Sequence, residues 1–161
     1  MIIIILKTVA IGIGATLAID LWVTLLKLFN IKSLDYRYVG RWVENIPKGK
    51  FFHNKIQDTS PILHELILGW IVHYLIGVTF AFTLVALYGS SWLDKPTILP
   101  AIIIGIITAA GPFFIMQSAF GFGIASSKLP NPNLLRLKSL GTHLIYGIGL
   151  YVSAILLNVI L

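Results

Sequence analysis

The sequence predicts an all-α integral membrane protein, a four-helix transmembrane bundle with a short amphipathic interfacial helix in its first loop. Three observations carry that prediction. The 161 residues are 57% hydrophobic and 11% charged, whereas a soluble domain carries about one quarter charged residues. Four apolar runs reach the ~20 residues that cross ~30 Å of hydrocarbon. Basic residues crowd the polar segments on one side of those runs. The length suits a single transmembrane domain, 1–161. Cysteine is absent, which excludes a disulfide framework, a thiolate metal site and a Cys nucleophile. The net charge of +6 lies in membrane-flanking loops, so it points to topology and to membrane lipid as partner, with no role for nucleic acid.

The first span covers 3–29. Lys7 sits inside its apolar run and an Ala-x-Ala site is missing, which argues against a cleaved signal peptide. Gly12, Thr16, Asp20 and Thr24 recur every four residues and make one polar stripe that needs an inward face. Hydropathy then collapses from Asn30 to Thr59. Ser33 is positioned to cap a short helix there, with Leu34, Tyr38, Trp42 and Ile46 on one face and Pro47 and Gly49 ending it. Arg37, Arg41 and Trp42 are placed by that pattern at the lipid interface.

The second span, 61–88, opens on Ser60 as N-cap and Pro61 at the first helical position. Along it Glu65, Gly69, His73, Gly77 and Ala81 form a stripe that must face protein, because a carboxylate and an imidazole are costly against lipid tails. A short connection carrying Trp92 at interface depth leads to the third span, 97–117. Gly111-Pro112 bends that span, since Pro112 cannot donate to the carbonyl of Thr108. The turn region SAFGFGIASSKLPNPN follows. Its Gly-x-Gly lacks the third Gly and the βαβ context of a dinucleotide site. Ser118, Ser126 and Ser127 lie in it without a Gly-x-Ser-x-Gly elbow. The fourth span, 134–160, again spaces His143, Gly147 and Tyr151 four apart.

Nine basic residues fall in the first and third loops, against two on the other side. The positive-inside rule therefore puts both loops in the cytoplasm and both termini outside. At 1.5 Å per residue, Glu65 lies ~6 Å from the cytoplasmic end of its helix, His143 ~10 Å, Asp20 ~14 Å and His73 ~18 Å. Intramembrane ionisable residues are functional-site hypotheses by default. Asp20, Glu65, His73 and His143, with Thr108 and Gln117, are accordingly the expected substrate- or proton-binding residues of a transporter-like protein, one whose path a homodimer would complete. No catalytic residue, metal site or cofactor is assigned, and an enzyme is the less favoured class. Two other readings stay open. The polar groups can be interhelical glue in an accessory or scaffold subunit of a larger membrane complex. Alternatively His73 and His143 can serve a haem, metal or quinone protein, although Glu65 and His73 are ~12 Å apart along the axis and cannot grip one ion.

The runs GATLAIDLW, SLDYRYVGRWV, KGKFFHNKI, HELILGWIVHYLIGVTFA, PTILPAIIIG, GPFFIMQSAFGFGIASSKLPNP and THLIYGIGLY resemble a family of small bacterial membrane proteins known only as a domain of unknown function. The resemblance covers nearly the whole chain. It implies a four-span protein of the bacterial inner membrane and no assigned activity.

Overall fold

The computed structural model describes residues 1–31 and 33–160, and among these it is helical with no β-strand. Four helices are long and apolar enough to cross a membrane: Ile2–Leu28, Glu65–Tyr88, Ile98–Ala119 and Pro132–Ile160. The chain divides into two compact units of interleaved segments. One comprises 1–33, 74–108 and 140–161; the other comprises 34–73 and 109–139.

The first unit is built from α1 (Ile2–Leu28), the C-terminal part of α3 (Glu65–Tyr88), the short α4 (Ser91–Asp94), α5 (Ile98–Thr108) and the C-terminal part of α7 (Pro132–Ile160). Small residues set its helix spacing, as they do where lipid supplies no hydrophobic drive between helices. A Cβ on Gly12 would come within 2.7 Å of the Val78 backbone, and one on Gly149 within 2.9 Å of Ala15. Ile11, Ala15, Leu84, Ile104, Tyr146 and Leu150 fill the resulting core. The Tyr146 hydroxyl donates to the Gly77 carbonyl at 2.5 Å, which satisfies a polar atom buried among apolar ones.

The hydroxyls of the α1 stripe turn back on their own helix. Thr16 donates to the Gly12 carbonyl at 2.8 Å and Thr24 to the Asp20 carbonyl at 2.7 Å. Such i−4 bonds let threonine sit in an apolar helix without a partner helix. Trp92 is buried, with its indole N–H donating to the Thr97 carbonyl at 3.1 Å.

The second unit holds α2 (Tyr36–Asn45), the first turns of α3, α6 (Gln117–Ala119) and the start of α7. The cap of α2 is Asp35 rather than Ser33: its carboxylate accepts the Arg37 backbone N–H at 3.0 Å. A 3-10 turn, Ile46–Lys48, and left-handed Gly49 end the segment as expected. The second span starts at Glu65, four residues later than the Ser60-Pro61 signal indicates, because His64 adopts φ +60 and interrupts the helical path. Pro112 has no N–H to continue the α ladder, and Gly111–Met116 widens into a π-turn closed by the Gln117 N–H on the Pro112 carbonyl.

Residues 53–56 run beside α6. The His53 N–H donates to Ala119 O at 2.8 Å and the Ile56 N–H to Phe120 O at 3.0 Å. Gly121, at φ +83, sits where a Cβ would collide with the Asn54 carbonyl. Both the left-handed turn and the close approach demand glycine there.

Candidate functional site

The charged centre of the second unit is a clasp between α2 and the N-terminus of α3. Gly40 presents no side chain to the Glu65 backbone, so α2 lies directly on the first turn of α3. That contact brings Arg41 onto Glu65. The guanidinium donates from Nε to Oε2 at 2.8 Å and from Nη2 to Oε1 at 2.9 Å, a bidentate pair whose side chains are 6% and 11% exposed. Nη1 donates to the carbonyls of Ile56 at 3.1 Å and Thr59 at 2.7 Å. The Glu65 carboxylate also accepts the Ile62 N–H at 3.2 Å. It lies at a helix N-terminus, where negative charge is favoured. The carboxylate hydrogen bonds raise the Arg41 pKa above its ordinary value, outweighing the cost of burial.

This geometry revises the interface assignment. Arg37 is exposed and pairs with Asp35. Arg41 and Trp42 are buried. Trp42 donates its indole N–H to the Phe51 carbonyl at 2.9 Å and packs edge-on against Phe51 and Phe120. Arg41 and Trp42, which read as lipid-directed, are thus directed at protein, while Ile46 on the same face is exposed. An arginine gains more from a buried carboxylate and two carbonyls than from a headgroup surface.

The other expected site residues meet hydroxyl or aromatic partners. In the first unit the Tyr74 hydroxyl donates to Asp20 Oδ2 at 2.7 Å, and Thr108 Oγ1 lies 2.9 Å from His143 Nδ1. In the second, Tyr36 Oη is 3.0 Å from His73 Nε2, with the two rings stacked at 4.4 Å and Trp70 edge-on to His73. Gln117 Oε1 accepts the Ser126 hydroxyl at 3.0 Å. The Glu65 carboxylate is held by a bidentate cation. Among the described residues, no group of three or more His, Asp and Glu side chains is placed to hold a metal ion.

His53 is a residue that hydropathy and motif spacing pass over. Its Nδ1 lies 2.9 Å from Thr59 Oγ1, while Nε2 is buried without a hydrogen-bond partner. Burial lowers its pKa from 6.5. Above pH 6.5 the ring is neutral in both the folded and unfolded states. As pH falls below that value, the unfolded chain takes up the proton first, so stability is lost down to the lower folded pKa. Asp35 acts in a separate, more acidic window, because its pKa is lowered from 3.8 by the Arg37 hydrogen bonds. Thermal unfolding in detergent across the mildly acidic range is expected to show a fall that His53→Asn reduces.

Helices of this length and apolarity, with ionisable groups paired inside them, define the build of a multi-pass membrane protein. The sequence profile of the family described as Protein of unknown function (DUF2938) matches residues 9–157, and the chain belongs to that family. No curated protein and no solved structure matches the chain.

Proposed function

We propose that the protein is a bacterial inner-membrane protein that binds a proton together with a small solute, in the manner of a minimal transporter, with Asp20 as its proton-binding group. The observation that supports this reading is the 2.7 Å bond from the Tyr74 phenol to the Asp20 carboxylate. The bond between Tyr74 and Asp20 persists in either protonation state of the carboxyl, since the phenol can donate to the anion or accept from the acid. Glu65, held by a guanidinium, loses its attraction on protonation. Thr108 and His143, and Tyr36 and His73, repeat the hydroxyl partnership. In this reading both loops rich in basic residues face the cytoplasm and a homodimer completes the path.

Asp20→Asn keeps the shape of the side chain and its hydrogen bond to Tyr74 while removing the titration. Infrared titration of the purified protein is expected to show, beside the bands of the other five carboxyl side chains, a protonated-carboxyl component that grows with falling pH and is lost in this variant. An unchanged band rules out Asp20 as the proton site.

The Arg41–Glu65 clasp favours a second reading, a scaffold or accessory subunit whose polar residues are structural joints. That reading expects Asp20→Asn to lower thermal stability with no change in any titration, and the protein to co-purify with a larger membrane complex.

A further inference from the structure

The second unit carries an open cleft of about 480 Å³ between the 52–54 segment and the turn after α6. Its polar lining comes from His53, Asn54, Ser118, Ser127 and Lys128, together with the backbone of left-handed Gly121 and Gly123. None of the lining residues is acidic, and Lys128 supplies a full positive charge. Two buried side-chain atoms in the wall have no hydrogen-bond partner, His53 Nε2 and Ser118 Oγ. Native proteins keep few such atoms, and each calls for a reason. Here both belong to residues that line the same cleft. Turning Ser118 from one staggered rotamer to another redirects its hydroxyl. Lys128 and Ser127 are exposed, so they are open to a partner.

We infer that this cleft binds a phosphate group. An ammonium, two serine hydroxyls and an asparagine amide can donate to several oxygens of one anion, and phosphate offers more acceptor oxygens than a carboxylate does. The volume accommodates the phosphate with the small group esterified to it. The phosphate belongs either to a lipid headgroup or to a soluble monoester, and both meet the same side chains. This inference stands apart from the Asp20 reading, since none of its residues takes part in that pair.

The test uses the full chain in neutral detergent. Glycerol 3-phosphate is titrated calorimetrically, and phosphatidic acid is added in mixed micelles with native mass spectrometry as readout. Binding of the first identifies a soluble monoester, and binding of the second alone identifies a lipid headgroup. Either one supports the inference when Lys128→Gln weakens it about tenfold and added salt weakens it further. Ser118→Ala is expected to weaken binding by about threefold or more. It should leave the unfolding temperature unchanged or raised, because it removes a buried hydroxyl that has no partner. Binding of neither probe, or binding indifferent to both substitutions, overturns the inference.

Discussion

Arg41→Ala is expected to destabilise the protein by ~3–5 kcal/mol, the range for removing one partner of a buried ion pair. The cost has two sources. Glu65, whose side chain is 11% exposed, keeps its charge and loses its bidentate cation. The carbonyls of Ile56 and Thr59 lose their donor as well, which releases the segment leading into α3. Glu65→Gln is expected to cost a comparable amount, because it strands a buried guanidinium. Joining the two changes as Arg41→Met with Glu65→Leu should recover part of the loss, but not the share contributed by the two carbonyls. Chemical unfolding in mixed micelles checks the series. A loss under ~1 kcal/mol for Arg41→Ala would place the pair with exposed ion pairs, which contribute little.

Gly105→Ala is the second large effect. A Cβ at Gly105 would lie 2.5 Å from the His143 carbonyl oxygen and 2.8 Å from the Gly147 Cα. Across the same contact, a Cβ on Gly147 would lie 2.7 Å from Ala101 O. Backbone atoms meet the added methyl on both sides, so no flexible side chain can move aside. Overpacking costs ~1–3 kcal/mol when neighbours can give, and this crossing is expected to reach or pass the top of that range. Gly141→Ala is the matched control on α7, because a Cβ there meets nothing within 4 Å. Equal unfolding temperatures for the two variants would contradict the close α5–α7 contact.

The four spans were legible because hydrophobic length is a coarse signal that tertiary packing rarely overrides. The Gly111-Pro112 break was legible for a local covalent reason, a missing N–H, although only the structure identifies its form as a π-turn. The start of the second span was misread. Ser60-Pro61 has the composition of a helix start, but left-handed His64 delays the helix to Glu65. The α1 stripe needs an inward face by its spacing, and Gly12 and Thr16 are buried while Thr24 is exposed. That Thr16 and Thr24 also satisfy carbonyls of their own helix is a choice that four-residue spacing cannot distinguish. The burial of Arg41 is not legible from amphipathicity, which marks a face without saying what covers it. The signal that pointed to its partner was electrostatic: a carboxylate opening an apolar helix, and an arginine 24 residues before it next to Gly40. The cleft between 52–54 and the turn after α6 left no trace in local pattern, since His53 and Ser118 are 65 positions apart and come together through the backbone pairing of 53–56 with α6.

The proposed division of labour makes Glu65 a structural anchor and Asp20 the group that takes up the proton. Infrared titration of the carboxyl band in the wild-type protein, Asp20→Asn and Glu65→Gln tests it most directly. The predicted result is a pH-dependent component present in the wild type, missing from Asp20→Asn and retained in folded Glu65→Gln, on top of the bands that the remaining carboxyls give in all three. A band that disappears with Glu65 and persists without Asp20 would contradict the account.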